Sequence, residues 1–565
     1  DAAGNTSAAG TRAITVDTVA PTLSSSAPSD NATAVAVGSN IVLTFSENVA
    51  AGTGNIVISN GTDTRTIAVG DAQITISGNT VTINPTAELE QGSTYYVQMA
   101  SGVLLDMAGN AYAGIVDTIT LNFLTQNQIA LDLSAIAAGS GGFVINGQCG
   151  NDFSGRSAFS AGDVNGDGLA DLIVGAYLSD PSVSLSDAGR SYVVFGQTGT
   201  TAIDLSAIDA GSGGFVINGQ GASDLSGFSV SSAGDVNGDG LADLIVGARM
   251  SDPAAGSNAG RSYVVFGKIS TTAINLSAIA AGSGGFVING QGASDFSGFS
   301  VSSAGDVNGD GLADLIVGAY GGDPAAGSYA GRSYVVFGQT STTVIDLSAV
   351  AAGTGGFVIN GQTTSDQSGS SVSSAGDVNG DGLADLIVGA RMSDPAVGSN
   401  AGRSYVVFGK TSTTAIDLSA VAAGTGGFVI NGQGVSDQSG FSVSSAGDVN
   451  GDGLADLIVG AHYSDPATVS NAGRSYVVFG QTGTTAINLS AIAAGTGGFV
   501  INGQCIFDQS GFSVSSAGDV NGDGLADLIV GSNVSDPAAG SNAGRSYVVF
   551  GQTGTAAIDL SAIAA

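Results

Sequence analysis

The sequence predicts an all-β protein in which a small N-terminal β-sandwich precedes an array of repeated sheets. The string DVNGDGLADLIVG occurs six times without change, beginning at Asp163, Asp235, Asp306, Asp377, Asp448 and Asp519, so the spacing is 72 and then 71 residues. Repetition at a fixed period predicts a repeat architecture. The 91 glycines, with 43% hydrophobic and only 11% charged residues, are typical of many short strands joined by tight turns.

The charge balance narrows the range of partners. Thirteen basic residues stand against 47 acidic ones, which gives a formal charge of -34. A nucleic-acid partner is excluded, because phosphate binding needs clustered Lys and Arg. The acidity fits either simple solubility or cation binding, and the carboxylates recur in register with the repeat, which favours cations. Six divalent ions would reduce the formal charge from -34 to -22.

The two cysteines and the chain ends constrain the class of protein less than the charge does. Cys149 and Cys505 occupy the same repeat position in the first and sixth copies. A disulfide needs Cα atoms within about 7 Å, so two free thiols are expected. No apolar run approaches the ~18 residues that cross a membrane. The chain starts without Met or a signal peptide and stops inside a repeat, which indicates a piece of a longer polypeptide.

Residues 20–125 predict a separate β-sandwich. Alternating segments such as NIVLTFSE, TVTINP and TYYVQMA are separated by turn signals, which suggests about seven short strands. The segments VDTVAPTL, SENVAAGTGNIVI and LLDMAGNAYAG resemble the Ig-like modules of bacterial surface and secreted proteins. The resemblance implies a spacer domain, with residues 1–19 forming the end of a preceding module or a linker.

Residues 129–565 hold the repeats, and each copy predicts four strands. In the second copy these are GGFVINGQ, the segment SGFSVSSAGDV, ADLIVGA and RSYVVFG. One small sheet cannot bury both faces alone, so the copies must stack. A linear solenoid and a ring of radial blades are both open. The length of the repeat favours a β-propeller of six blades, with seven as the alternative, and the N-terminal GGFVINGQ (141–148) is predicted to complete the sixth blade by strand exchange.

The loop DVNGDGLAD predicts a calcium site in every copy. Positions 1, 3, 5 and 9 carry Asp, Asn, Asp and Asp, position 7 offers a Leu carbonyl, and the Gly at position 6 permits the turn. Hard oxygen ligands without Cys or His select Ca²⁺, about six ions in all. The alternative is a hairpin turn that binds nothing. The predicted ligands are Asp163, Asn165, Asp167, Leu169, Asp171, Asp235, Asn237, Asp239, Leu241, Asp243, Asp306, Asn308, Asp310, Leu312, Asp314, Asp377, Asn379, Asp381, Leu383, Asp385, Asp448, Asn450, Asp452, Leu454, Asp456, Asp519, Asn521, Asp523, Leu525 and Asp527.

The segment SGFSVSSAGDVNGDGLADLIVGA is similar to the FG-GAP repeat of integrin α-subunit β-propellers. The resemblance implies that the calcium loops join the first and second strands of each blade, on the face opposite the ligand-binding one. Two departures stand out: Ser226-Gly227 replaces the Phe-Gly of the family, and Arg249 follows Gly-Ala where the family has Pro. An integrin ligand is therefore not carried over to this chain.

The copies differ most directly after the second strand. The first variable residues are Tyr177, Arg249, Tyr320, Arg391, His462 and Asn533. A rigid scaffold would gather these side chains on one rim, so they form a candidate ligand face. Drift among recently duplicated repeats is the alternative. Asp180 and Arg190 recur in every copy and are expected to brace the loop.

The combined features predict a calcium-binding extracellular or cell-surface protein that acts in adhesion or recognition of a protein or glycan. A structural component of a surface layer or motility apparatus is the alternative. A propeller-type hydrolase is less favoured, because the chain has one histidine, His462, and no G-x-S-x-G elbow beside it. We therefore expect no enzymatic activity.

Overall fold

A computed structural model describes residues 17–35, 39–85, 89–90, 92–125, 133–139, 142–466, 469–536 and 542–563. Of the predicted preceding module, only residues 17–19 lie within these ranges. The chain divides into two compact units, Asp1–Ala130 and Leu131–Ala565. No helix among the described residues is long and apolar enough to cross a membrane.

The first unit is built from eleven short strands in the described residues. They are β1 (Leu23–Ala27), β2 (Ala32–Val35), β3 (Ile41–Phe45), β4 (Val49–Ala51), β5 (Asn55–Ser59), β6 (Thr64–Ala68), β7 (Ile74–Ser77), β8 (Thr80–Ile83), β9 (Thr94–Met99), β10 (Leu104–Asp106) and β11 (Asn122–Thr125). A four-stranded sheet has the order β1-β3-β8-β7, a five-stranded sheet has the order β2-β11-β9-β5-β6, and β10 pairs with β4.

The core of the first unit follows from alternation along these strands. In β3, Ile41, Leu43 and Phe45 are buried while the residues between them are partly exposed, which is the period-two pattern of a sheet with one buried face. Phe45 and Tyr95 from the two larger sheets belong to one hydrophobic cluster. The predicted sandwich is therefore present.

The second unit repeats a set of strands in register with the sequence repeat. The first strands are β13 (Ser157–Gly162), β18 (Ser229–Gly234), β23 (Ser300–Gly305), β28 (Ser371–Gly376), β33 (Ser442–Gly447) and β38 (Ser510–Gly518). The second strands are β14 (Asp171–Ala176), β19 (Asp243–Ala248), β24 (Asp314–Ala319), β29 (Asp385–Ala390), β34 (Asp456–Ala461) and β39 (Asp527–Ser532). The third strands are β15 (Arg190–Val194), β20 (Arg261–Val265), β25 (Arg332–Val336), β30 (Arg403–Val407), β35 (Arg474–Val478) and β40 (Arg545–Val549).

The remaining elements lie between one third strand and the next first strand. The fourth strands are β17 (Gly214–Asn218), β22 (Gly285–Asn289), β27 (Gly356–Asn360), β32 (Gly427–Asn431) and β37 (Gly498–Asn502). Short strands are β12 (Ile145–Asn146), β16 (Ile203–Asp204), β21 (Ile274–Asn275), β26 (Ile345–Asp346), β31 (Ile416–Asp417), β36 (Ile487–Asn488) and β41 (Ile558–Asp559). Single helical turns are α1 (Leu133–Ala137), α2 (Leu205–Asp209), α3 (Leu276–Ala280), α4 (Leu347–Ala351), α5 (Leu418–Ala422), α6 (Leu489–Ala493) and α7 (Leu560–Ile563).

Each of the first five sheets takes its fourth strand from the following copy of the repeat. The first sheet has the order β13-β14-β15-β17-β21, and four further sheets repeat this order. Strands one to four are antiparallel, and β17 lies beside β15 with Arg190 opposite Asn218 and Val194 opposite Gly214. The short strand β21, from the copy after that, adds in parallel. The GFVIN segment therefore links two neighbouring copies of the repeat.

Hydrophobic cores lie between consecutive sheets. Ile173 and Val193 of the first sheet share a cluster with Val246 and Tyr263 of the second, and the same arrangement recurs along the series. Strand β19 is buried at all six positions, since both faces of its sheet are covered. This explains why DLIVG is a continuous apolar run rather than an alternating one.

The two ends of the series do not meet as the sequence analysis predicted. Strand β12, within the N-terminal GGFVINGQ, pairs in parallel with β16, and the sixth sheet consists of β38, β39 and β40 alone among the described residues. The predicted strand exchange is therefore wrong for this structure. First strands pack in sequence from β13 on β18 to β33 on β38, and no close packing of β38 on β13 joins the ends within the described part of the chain. On the last sheet, Val520, Ile529 and Val548 are 58%, 38% and 40% exposed.

We predict that equivalent isoleucines differ in their contribution to stability. Ile458 lies between the fifth and sixth sheets with 0% exposure, so Ile458→Ala should lower the free energy of unfolding by about 2–5 kcal/mol. Ile529 is its equivalent on the open face, and Ile529→Ala should cost about half of that or less because fewer buried contacts are lost. Chemical denaturation of both variants measures the difference, and equal losses would contradict the difference in burial.

Candidate functional site

Hydrogen bonds between the loop's own backbone N–H groups and its side chains hold each repeated loop in a tight turn. It joins the first strand to the second, and Gly166 and Gly168 adopt φ values of 76° and 86° that favour glycine. Asp163 Oδ1 accepts the backbone N–H of Gly166 at 2.7 Å and that of Asp167 at 3.1 Å, while its Oδ2 accepts that of Gly168 at 2.9 Å. The same three bonds recur in the other five loops.

The middle of the loop is ordered in the same way. Asn165 Oδ1 accepts the N–H of Asp167 at 2.8 Å, and Asp167 Oδ1 accepts that of Leu169 at 2.9 Å. Each of these oxygens keeps a further lone pair. The side chains at positions 1, 3 and 5 are thus held against their own loop, with oxygen atoms rather than apolar groups turned toward it.

The ninth position is a buried carboxylate. Asp243 has 0% exposure, and it accepts the N–H of Val236 at 3.0 Å and that of Gly267 at 2.8 Å, so it ties the loop to the end of the third strand. Burial raises its pKa to about 7, although the two N–H groups lower it and the charges of Asp239 and Asp235 raise it further. The equivalent residues in the next three copies, Asp314, Asp385 and Asp456, also have pKa values of about 7.

This donor set fits a hard cation. The side chains at positions 1, 3, 5 and 9 of each loop offer carboxylate and amide oxygens without nitrogen or sulfur ligands, which is the chemistry that Ca²⁺ prefers. Among the described residues, however, the only three acidic groups with oxygens within 4.8 Å of one another are Asp17, Glu47 and Asp106. The acids of each repeat loop lie farther apart than this, so binding would require their side chains to rotate inward.

The Asp17, Glu47 and Asp106 group lies in the first unit and was not predicted from the sequence. Asp106 is buried and accepts the N–H groups of Ala108 and Asn110, both at 2.8 Å. Partial burial raises the pKa of Glu47, and the charges of Asp17 and Asp106 raise it further. In the LLDMAGN turn, Asn110 Nδ2 donates to the backbone oxygen of Asp17 at 3.1 Å.

The candidate ligand residues lie at the opposite end of the second strand from the loop and form part of a row of packed side chains. The Arg249 guanidinium lies 4.1 Å from the ring centre of Phe228, which lies 5.2 Å from Phe299. Tyr320 packs on Phe299 at 4.6 Å. These cation–π and aromatic contacts connect the second and third sheets.

The row is interrupted in the fourth copy and then resumes. Ser370 replaces the phenylalanine found at Phe228 and Phe299. Arg391 donates from Nε and from its terminal nitrogen to Gln367 Oε1, at 3.2 and 3.1 Å, and its guanidinium lies 5.4 Å from the ring centre of Phe441. His462 then packs against Phe441 at 4.1 Å.

Exposure differs among the six candidates. Tyr177, Arg249, Tyr320 and Arg391 are half-buried, and Asn533 is exposed. His462 is buried, which lowers its pKa to about 4, and the charge of Arg391 lowers it further. The structure thus places five of the six where a partner can reach them and places His462 beneath the surface.

The ring positions of this row were missed from the sequence. The first-strand position is Arg156, Phe228, Phe299, Ser370, Phe441 and Phe512 in successive copies. This variation was the available signal, because the neighbouring residues are nearly constant. Nothing in one copy alone shows that its ring meets the variable residue after the second strand.

The recurring Asp and Arg brace the loop between the second and third strands, as expected. Asp180 Oδ1 accepts the N–H of Asp187 at 2.7 Å. Arg190 donates to the carbonyl of Pro181 at 3.3 Å and to Gln148 Oε1 at 2.9 Å. Cys149 and Cys505 are free and exposed, which confirms the predicted thiols.

Comparison with protein families identifies both units. Residues 17–125 match the bacterial Ig-like domain. The FG-GAP repeat matches residues 155–194, 226–265, 297–336, 368–407, 439–478 and 510–549. The chain therefore combines a bacterial Ig-like domain with six blades of an FG-GAP β-propeller, which confirms the predicted all-β fold class and the resemblance on which it was based.

Two known proteins are similar to part of this chain. Integrin alpha-PS2 of Drosophila melanogaster is 34% identical over 114 residues, which are 20% of this chain and 8% of that protein. Phosphatidylinositol-glycan-specific phospholipase D of Bos taurus is 32% identical over 174 residues, which are 30% of this chain and 19% of that protein. This chain therefore matches less than a fifth of the length of either relative.

We predict that the chelated protein loses stability as the pH rises. The folded pKa of Asp243 is about 7, against an ordinary value of 3.8. Protonated Asp243 contributes stability that is fully present below about pH 4. This stability is lost as the pH rises through about 7. The Tm in chelator should therefore be several degrees lower at pH 8 than at pH 5.5, measured by differential scanning calorimetry. A saturating excess of Ca²⁺ should reduce this difference, and a chelated Tm that rises over the same interval would contradict the prediction.

A second prediction concerns a missing hydroxyl in the third copy. Ser251 donates to Asp224 at 3.0 Å and Ser464 donates to Asp437 at 3.1 Å, but Gly322 takes the equivalent place beside Asp295. Asp295 is 5% exposed, and its Oδ2 has no hydrogen-bond partner. Gly322→Ser should therefore raise the free energy of unfolding by about 1 kcal/mol.

The control variant Gly322→Ala separates the hydroxyl from the change in backbone freedom. Urea denaturation compares the two variants with the unmodified protein. The prediction fails if Ser and Ala at position 322 give the same stability.

Proposed function

We propose that the FG-GAP blades bind Ca²⁺, about one ion in each of the six loops. The observation that carries this proposal is the buried carboxylate at the ninth loop position, which is repeated six times beside two further acids. A buried ionised carboxylate is costly without a counter-charge. A bound cation would keep it ionised at neutral pH and would rigidify the connection between the first three strands of each blade.

We further propose that the protein acts outside the cell, in adhesion or recognition, through the half-exposed row that contains Tyr177, Arg249, Tyr320 and Arg391. Aromatic and guanidinium groups on a rigid scaffold suit binding to a protein or a glycan. The integrin relative and the Ig-like domain support a surface-exposed binding module. The Ig-like domain would then serve as a spacer.

A binding function is favoured over catalysis. His462, the single histidine, is buried in the aromatic row. The repeated aspartates are accounted for by the cation loops and by the brace of the variable loop. The phospholipase D relative shares 19% of its length with this chain, which gives the repeats a precedent within an enzyme but supplies no catalytic group here.

Calcium binding is tested by stoichiometry. Isothermal titration calorimetry of the chelated and dialysed protein should give about six Ca²⁺ per chain. Asp310→Ala removes a loop carboxylate and should reduce this number by about one. Asp346→Asn, which changes an exposed acid outside the loops, should leave it unchanged. A stoichiometry near zero in the unmodified protein would contradict the proposal.

The recognition surface is tested by glycan-array and cell-binding assays. The double variant Arg249→Ala with Arg391→Ala should lose at least about tenfold in affinity, since two half-buried cationic anchors are removed. His462→Ala serves as the matched control, because that side chain is buried and should affect stability more than binding. Unchanged binding by the double variant, with an unchanged Tm, would exclude this surface as the binding site.

A further inference from the structure

The variable row consists of the side chains at the positions of Arg156, at the start of the first strand, and of Tyr177, after the second strand. Nine arginines lie in the repeat region, and six of them occupy the brace position of Arg190. The other three are Arg156, Arg249 and Arg391, and all three belong to the row. Arg156 is exposed, and the other two are half-buried. A chain with a formal charge of -34 thus gathers its arginines without a bracing role at one end of its sheets.

Two of these guanidinium groups share one aromatic ring. The Cζ atom of Arg156 lies 4.4 Å from the ring centre of Phe228, and that of Arg249 lies 4.1 Å from the same centre. The two carbons are therefore no farther apart than these distances added together. Burial lowers the pKa of Arg249, and the charge of Arg156 lowers it further. An anion bound between the two groups would remove this repulsion between like charges.

Neither guanidinium of this pair has an acceptor among the described residues. The Nε atom of Arg249 is buried and has no hydrogen-bond partner, and within the described ranges neither group forms an ion pair. The ionisable groups that act on Arg249 are Tyr320, Arg156 and Tyr177, and none of these is a carboxylate. Each guanidinium carries five N–H donors. The pair therefore offers unused donors for charge-assisted hydrogen bonds to an external anion, which are short and strong.

Aromatic rings alternate with the cations along successive copies. Arg249 also lies 5.6 Å from the ring centre of Phe299, on which Tyr320 packs at 4.6 Å. Burial raises the pKa of Tyr320, and the charges of Arg249 and Arg391 both lower it, so the phenol lies within reach of both cations. The second, third and fourth copies thus present a cation, a ring and a cation in turn.

We propose that this row binds an acidic polysaccharide, with its carboxylate or sulfate groups held by the arginines and its sugar rings packed against the tyrosines. A planar guanidinium matches both kinds of anionic group bidentately. Tyrosine offers an apolar face for the C–H face of a sugar ring and a hydroxyl for its polar groups. An acidic polysaccharide repeats both features along its length, as the row does, whereas an acidic peptide repeats only the charge. The inference rests on the proposed recognition role of the row and names its ligand class.

Biolayer interferometry of the full chain on immobilised polymers tests the ligand class. Dextran sulfate carries sulfate alone, hyaluronan carries carboxylate alone, and dextran carries neither. Poly-L-glutamate and single-stranded DNA are polyanions of other classes. The protein should bind dextran sulfate, hyaluronan or both, and should not bind dextran. The affinity should fall as NaCl is raised, because salt screens exposed charges.

The variants separate this surface from net charge. Arg156→Gln combined with Arg249→Gln should weaken binding at least about tenfold, since both guanidinium contacts are lost. Lys268→Gln combined with Lys410→Gln is the matched control and should leave the affinity unchanged. It removes the same charge where the other four copies carry Gln, and Gly267 beside Lys268 donates to Asp243 at the loop end of the sheet. Arg156→Gln alone changes only an exposed side chain, so it should weaken binding without lowering the Tm.

Three results would overturn the inference. These are equal affinities of the arginine and lysine double variants, binding confined to poly-L-glutamate or single-stranded DNA, and binding to none of the anionic polymers. The proposed recognition role has a separate readout. A neutral glycan or a protein that loses binding to the Arg249→Ala, Arg391→Ala variant would support that role while overturning the acidic polysaccharide.

Discussion

The fold of the second unit depends on strand pairing between neighbouring copies of the repeat. Each of the first five sheets receives its fourth strand from the following copy, and that same segment accepts a short parallel strand from the copy after it. No sheet is therefore complete within one 71-residue copy. The hydrophobic cores lie between consecutive sheets, so stability comes from neighbouring contacts rather than from a centre shared by all sheets. This arrangement makes internal blades alike and terminal blades different, although their sequences are nearly identical.

The same pairing between copies sets the environment of the cation loops. Strands such as β19 are buried on both faces, and the loop aspartate at the ninth position starts the strand. Its carboxylate is therefore removed from water together with the apolar run that follows it. Burial raises the pKa of the ninth-position aspartate in all six copies, and in the four internal copies this pKa reaches about 7. The proposed oxygen ligands of each loop come from nine consecutive residues. The free-energy cost of ionising the ninth residue, in contrast, depends on its burial by the neighbouring sheet.

Much of the fold and of the loop structure could be predicted from the sequence, for a physical reason. Exact repetition predicted the length of each copy, β-branched runs predicted the strands, and oxygen-rich turns predicted the loops. These features could be predicted because they depend on only a few neighbouring residues. The strand exchange failed because pairing of distant ends depends on the accumulated rotation between sheets, which no single copy contains. The packing of Arg249 on Phe228 was missed for a similar reason, because these side chains come from different strands. Whether Asp, Asn and Leu carbonyl oxygens converge on one ion is likewise a matter of side-chain rotation that spacing alone leaves open.

The arginines of the variable row keep a packing partner although the residues around them differ from copy to copy. Where the first strand supplies Phe228, the neighbouring Arg249 lies over a ring, and burial lowers its pKa. In the fourth copy, Ser370 takes the place of Phe228, and Arg391 donates to Gln367 Oε1 while it also lies 5.4 Å from the ring centre of Phe441. The guanidinium therefore keeps a partner in both copies, although the residues around it differ. A half-buried cation without a partner would be costly. The row consequently serves the packing between blades, and recognition of a partner would use the outer edges of groups that are already held in place.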